Sequence, residues 1–277
     1  MSADGAVRFA RFAHPPNDLG YCGPRADGTL LRVAGGAGGA GGADGDGNGD
    51  GDGDASGDAD GDGPGDGELT RVARHFEGAW PYLELIAAGA GVADPLDAAV
   101  VDAYWLGNRL SGMVEPASFE ADLRSAVDGR IGVPWADVAA AIADGGLPTH
   151  AFHVLSVSPW VPLLARGAVS EALRVLDGCR IGWGEVQRAD GDRALVRRRP
   201  LVWEGGALGL GAPSDQWLRS GADGLALSGS LSPGDVVATH WDWVCEVLAP
   251  GRVEGLQTAT HQQLELVERR LRRLDPG

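Results

Sequence analysis

The hydrophobic period of this 277-residue chain changes once, near residue 178, and no other feature limits the possible folds as strongly. From residue 68 the spacing is helical. Leu69, Val72, Phe76, Trp80 and Leu83 recur three and four residues apart, as one apolar helix face requires. Asp94-Pro95 reads as an N-cap followed by proline at the first helical position, with Leu96, Val100, Ala103, Gly107 and Leu110 on the face that follows. Pro116 and Pro134 punctuate two further helical pieces carrying Phe119, Leu123 and Val127, then Val138 and Ile142. A segment over 150–164 leads into a last helix ending near Leu176.

Beyond residue 178 the alternation is that of strands. Ile181, Trp183 and Glu185 alternate with glycines, Asp190-Gly191-Asp192 is a turn, and Ala194-Leu195-Val196 is a short strand. Leu201-Val202-Trp203 and Ala207-Leu208-Gly209-Leu210 flank Glu204-Gly205-Gly206 as a hairpin. Pro233-Gly234-Asp235 turns into a strand from Val236 to His240, and strand character runs on through Val247. Residues 255–274 return to helical spacing, with Leu256, Leu264, Val267 and Leu271 on one face. Several short strands at this spacing predict a small closed barrel. The expected class is α+β: an all-helical N-terminal domain, then a small OB-like β-barrel with a C-terminal helix.

Residues 35–67 interrupt the pattern. They are almost only Gly, Asp and Ala and cannot bury apolar surface, which predicts a disordered insertion. Asp44-Gly45-Asp46-Gly47-Asn48-Gly49 opens like a calcium loop, but Ala55 stands where the bidentate Glu belongs. The expected division is a lead over 1–34 packing on the helical domain, the insertion over 35–67, the helical domain over 68–177, and the barrel with its helix over 178–277. The lead itself is aromatic and turn-rich.

The insertion's nine aspartates carry more than half of the net charge of −16, and every one of the 23 basic residues is arginine. An acidic chain with no basic run is a poor nucleic-acid ligand. No stretch is apolar for long enough to cross a membrane, and the first residues lack the basic and apolar regions of a signal peptide. Three cysteines, Cys22, Cys179 and Cys245, are too few for a secreted disulfide framework. The expectation is a cytoplasmic protein with reduced thiols.

Two residues bracket the β-rich segment. Cys179 opens it as Cys179-Arg180-Ile181-Gly182-Trp183-Gly184-Glu185-Val186, and Gly234-Asp235-Val236-Val237-Ala238-Thr239-His240 closes its main run. A thiol and an imidazole at two ends of one small barrel make a soft metal site, suited to iron, zinc or copper. Asp242, between two tryptophans, either accepts a hydrogen bond from a ligating histidine or, on the simpler reading, is a solvated loop carboxylate. Other readings stay open: a buried packing cysteine at Cys179, a hydrogen-bonded structural histidine at His240, and packing for Cys245.

The ordered set of cysteine, Gly-Asp turn into a Val-rich strand, and Gly-Asp-x-Val-x-x-His resembles the HypC/HupF family of nickel–iron hydrogenase assembly chaperones. The match covers about a third of the chain. The resemblance implies an accessory role in hydrogenase maturation and a cysteine thiolate holding an iron that carries carbonyl and cyanide ligands. It implies as partner the hydrogenase large-subunit precursor or another maturation protein. Cys179 would then be the iron- or partner-binding thiolate and His240 a nearby ligand. In that family the cysteine is N-terminal and followed by a Pro-Gly; here it is internal and followed by Trp183-Gly184. The N-terminal part resembles uncharacterised actinobacterial proteins.

A second set consists of Cys22, His14, His150 and His153. His150 and His153 are three apart, so one helix face carries both. With Cys22 or His14 they would form a second metal site, or, in an interdomain cleft, the centre of an enzyme. A third reading makes the barrel a metal-free protein-contact module using Trp183, Trp203, Trp241 and Trp243. The sequence contains no P-loop, no Gly-x-Ser-x-Gly elbow and no His-Glu-x-x-His helix.

Overall fold

The computed structural model describes residues 3–36, 66–127 and 132–274. Helices α1 (Ala3–Asp18), α2 (Thr29–Gly36), α3 (Asp66–Ala73), α4 (Trp80–Ala90), α5 (Ala98–Trp105), α6 (Pro116–Val127), α7 (Trp135–Ala143), α8 (His150–Phe152), α9 (Trp160–Ala165) and α10 (Val169–Cys179) come first. Among the described residues nine strands follow: β1 (Gly182–Asp190), β2 (Arg193–Arg198), β3 (Leu201–Glu204), β4 (Ala207–Leu210), β5 (Ser214–Arg219), β6 (Gly221–Ala222), β7 (Leu225–Ala226), β8 (Val236–His240) and β9 (Trp243–Val247). Helix α11 (Pro250–Leu274) ends the described chain. The class is α+β. No described helix is long and apolar enough to cross a membrane.

Strands β1, β2, β5, β9 and β8 close into a barrel in that order, antiparallel except for the parallel β5–β9 contact. Closure rests on the single β5–β9 pair of Arg219 with Trp243, at the end of β5 and the start of β9. The β1–β2 hairpin turns at Gly191, and β3–β4 forms the separate hairpin that Gly205-Gly206 predicts. Val186, Val196, Leu218, Val237 and Val244 fill the barrel. Its other apolar face continues into the helical core: Ile181, Ala238, Trp243 and Cys245 belong to the same buried cluster as Phe9, Phe12, Leu83 and Tyr104. One of the buried clusters therefore spans both expected halves.

Several local expectations are corrected. The lead is a helix over most of its length, because Pro15 and Pro16 fall in the last turn of α1 rather than in a loop. The cap of α5 is Asp97, whose carboxylate accepts from Ala99 N at 2.8 Å, while Asp94 caps the preceding turn through Leu96 N. The run from Leu69 to Leu83 breaks between α3 and α4, although all five apolar residues are buried. Cys179 does not open a strand; it is the last residue of α10. Gly35 and Gly36 belong to α2 and Asp66 and Gly67 to α3. The rest of the Gly/Asp tract, including the calcium-like run over 44–49, lies outside the described residues.

Candidate metal centre

Where α8, the end of α10 and the end of β8 converge, one ring nitrogen from each of His150 and His240 and the Sγ of Cys179 lie within 4.8 Å of one another. They form part of the wall of a cavity of about 290 Å³. Cys22 and His153 line the same cavity, with Tyr21, Phe76, Tyr104, Trp105, Trp160 and Trp241. The two sets inferred from sequence thus merge, except for one member. His14 is not among the lining residues; it packs edge-on against Trp243 at 4.8 Å.

Each donor is fixed by identifiable local chemistry. Proline has no N–H, so Pro16 leaves the carbonyl of Phe12, four residues back in α1, without its helical donor. The His240 ring takes that place: its Nδ1–H donates to Phe12 O at 2.7 Å. This bond assigns the tautomer and turns Nε2 into a lone-pair donor. Nε2 is buried and makes no hydrogen bond of good geometry, in a residue only 1% exposed, and the Cys179 backbone acts on the ring beside the Phe12 carbonyl. Asp242, considered above as the orienting carboxylate, is exposed in the β8–β9 turn. Trp241 enters that turn at φ 54°, a left-handed conformation that side chains rarely adopt.

Cys179 is held by its neighbours. Asp177 accepts from Arg180, from Arg198 at 2.9 Å and from Leu201 N at 2.8 Å, which ties the end of α10 to the barrel and its hairpin. Gly178 O accepts from Trp241 N at 2.7 Å, and a Cβ at Gly178 would meet the Trp241 ring at 2.6 Å. The chain therefore needs glycine beside the cysteine.

His150 starts α8 behind the N-cap Thr149, whose hydroxyl accepts from Phe152 N. After His153 the helix widens into a π-turn over His153–Val157. Ser158 N reaches back to His153 O, while the Ser158 hydroxyl takes the Val154 carbonyl. Helix α11 clamps this turn through Gln263 to Ser156 Oγ and Arg270 to Ser156 O. Single π-turns of this kind concentrate at functional sites. Each histidine has a tyrosine: Tyr104 OH lies 3.0 Å from His150 Nδ1, and Tyr82 OH lies 3.2 Å from His153 Nδ1.

The proton inventory around His150 is short. Its Nε2 sits 2.8 Å from Cys179 O, its Nδ1 faces Tyr104 OH, and that hydroxyl donates to Gly78 O at 2.6 Å. Three contacts need three protons, and a neutral imidazole with a phenol supplies two. The Cys179 carbonyl can only accept, so Nε2–H donates to it and the His150 lone pair lies on Nδ1, where Tyr104 OH cannot donate to it and to Gly78 O at once. A ligating His150 therefore exchanges one of these contacts for the metal.

Burial decides the charges. It holds the pKa of His240 and His153 down to about 4, and burial and the His240 ring hold His150 well below the ordinary histidine value. All three rings are neutral at pH 7 with lone pairs to offer. Burial pushes the thiols of Cys22 and Cys179 up to about 12. Neither forms the thiolate–imidazolium pair of a cysteine nucleophile. A metal cation reverses the preference at the thiol. Two neutral imidazoles and one thiol form a borderline-soft set suited to Fe²⁺, Co²⁺ or Zn²⁺. Ligands on one such ion sit about 3.5 Å apart at bond lengths of 2.0–2.3 Å, so binding draws this group together.

The sequence pattern pairs Cys179 with His240 but groups His150 with Cys22, His14 and His153. The signal that orients His240, a proline four residues after Phe12, was present in the lead. The chain belongs to DUF6390, a family of unknown function whose model matches residues 1–274. No curated protein and no solved structure matches it.

Proposed function

We propose that this protein is a cytoplasmic accessory factor of nickel–iron hydrogenase maturation, holding an iron centre through Cys179 and His240 with His150 as the third ligand. The observation that carries the metal reading is the lone pair of His240 Nε2, buried and unpartnered beside two other donors. Leaving a buried polar atom unmet costs about 1–3 kcal/mol, and a bound cation repays it. The assignment to hydrogenase maturation rests on the Cys179, Gly191-Asp192 and Gly234-to-His240 pattern shared with the HypC/HupF chaperones. The partner in this reading is the large-subunit precursor or another maturation protein. The cavity over the three donors leaves room for ligands carried on the iron, carbonyl and cyanide among them.

The metal-free contact module finds less support. Trp243 is fully buried and Trp241 nearly so, so both serve the core before any partner.

The test is protein purified anaerobically from a host expressing the hydrogenase maturation genes, assayed for iron and for infrared bands of metal-bound carbonyl and cyanide. Bands and iron present in the native chain and lost in Cys179→Ala support the proposal. Native protein that carries neither, from cells making active hydrogenase, overturns the maturation role.

A further inference from the structure

Resting on the reading of His150, Cys179 and His240 as metal ligands, we propose that Cys22 is a fourth donor and the exchange ligand of the site. It closes a two-sulfur, two-nitrogen set and is the donor through which metal enters and leaves.

The placement of the four residues separates them into two kinds. His150, Cys179 and His240 come from α8, α10 and β8, each anchored in the core. Cys22 comes from the turn between α1 and α2, at the rim of the same cavity. The turn is built to aim the thiol inward. The Asn17 side-chain amide donates to the carbonyls of Cys22 at 3.0 Å and Pro24 at 2.6 Å. Gly23 holds φ 81°, and a Cβ there would strike the Phe76 ring at 2.4 Å. Cys22 is not one of the three atoms within 4.8 Å of each other, so ligation requires its side chain to swing in from the wall. The unpartnered Nε2 of His240 marks the end of that swing as a place where a cation is wanted.

The rim also carries a cover. Tyr21 stacks on Trp241 with ring centroids 4.4 Å apart and planes 11° from parallel. Arg174 lies over the same indole at 6.0 Å and reaches the Tyr21 hydroxyl at 3.4 Å. Tyr21 is 53% exposed and adjoins Cys22 in the chain, so lifting this stack moves the exchange ligand with it. The chemistry is balanced without an oxidant. One divalent ion binds, two thiols become thiolates, and two protons leave to solvent.

The experiment uses the anaerobic, reduced full-length chain and Co²⁺ as the probe, with Cys22→Ala, Tyr21→Ala and Cys179→Ala beside it. Three quantities are read: the sulfur-to-cobalt charge-transfer absorption, protons released per ion, and the rate of cobalt loss to excess EDTA. The native chain should release two protons per ion. Cys22→Ala should release one, keep roughly half of the absorption, as one of two thiolates remains, and lose cobalt at least about tenfold faster. Tyr21→Ala should keep the full absorption and still lose cobalt faster. Native absorption, proton count and release rate retained in Cys22→Ala, but lost in Cys179→Ala, overturn the role of Cys22 and leave the three-donor site standing. A native chain with no sulfur band removes that site, and Cys22 with it. Apo-protein circular dichroism and urea unfolding identify a variant that has failed to fold, in which case Cys22→Ser replaces it.

Discussion

Two polar clusters sit at the junction of helices and barrel, and they settle burial in opposite ways. In the first, Arg8 and Arg11 of α1, Asp102 of α5, Glu246 of β9 and Arg252 of α11 meet. All four carboxylate oxygens have a guanidinium partner, at 2.6 to 3.4 Å. Burial pushes Glu246 toward the neutral acid, but the three arginines outweigh it and hold its pKa below the usual value. In the second, His150, Cys179 and His240 are neutral. One lone pair has no partner, and three contacts share two protons. A cluster that pairs every carboxylate oxygen with a guanidinium is a fastener, even with Arg11 Nε and Arg252 Nε left without a partner. A cluster of good ligands left short of charge is a receptor for a cation.

The largest effect expected is on the fastener. Glu246→Ala leaves Arg11 unpaired and Arg8 and Arg252 sharing Asp102 alone, and should cost about 3–5 kcal/mol, the range for breaking a buried pair on one side. Urea unfolding measures it. His240→Ala, which removes no charge, should cost less; an equal or larger loss from His240→Ala would erase the distinction between the clusters.

Acid sharpens the same contrast. Below pH about 6.5 an unfolded chain protonates His153 and His240, whereas the folded chain keeps them neutral down to about 4. The unfolded state then binds more protons. Stability is therefore whole above pH 6.5 and falls as pH drops toward 4, by on the order of 3 kcal/mol for each ring. Urea midpoints between pH 7 and 4 should show this loss in the native chain and a smaller one in His153→Gln. A flat profile would mean that the rings are hydrated in solution.

The sequence contained the two halves of the fold because hydrophobic period is a local property. Ile181, Leu201 and Val237 announce strands, and Leu83 and Val100 announce helices, through neighbours a few residues away. Cys179 and His240 were legible as a pair because both bracket the strand-rich segment. His150 was not, because what brings it there is tertiary: a π-turn clamped by Gln263 and Arg270 more than a hundred positions later. The cluster that spans helices and barrel was hidden for the same reason, since Trp243 and Phe9 join it only after the barrel docks on α1. The turn-rich lead hid α1, because Pro15-Pro16 removes helical donors and reads as a loop, whereas the His240 ring, far along the chain, supplies one of them.

Metal affinity depends on the receptor alone. Removing a ligand should weaken Co²⁺ binding more than removing an orienting group, which typically costs 10–100-fold. Cys179→Ala and His240→Ala should each exceed about 100-fold by competition with a chromophoric chelator. Glu246→Gln, which leaves the three donors untouched, should bind Co²⁺ like the native chain once folded. Equal losses in all three would show that affinity tracks packing and not ligation.

The smallest effect is the most specific. In Pro16→Ala, α1 gains an N–H that competes for the Phe12 carbonyl, the acceptor that holds the His240 ring. The helix loses nothing by this, so stability should stay within about 1 kcal/mol of the native value. The imidazole loses its fixed tautomer, and Co²⁺ affinity should fall about tenfold. Nitrogen chemical shifts of the His240 ring in the apo protein should move from a single Nδ1–H tautomer toward a mixture of the two. Unchanged shifts with unchanged affinity would separate the proline from the site. A tenfold loss with a native urea midpoint would tie one helix-ending proline in the lead to the ligand geometry of the barrel.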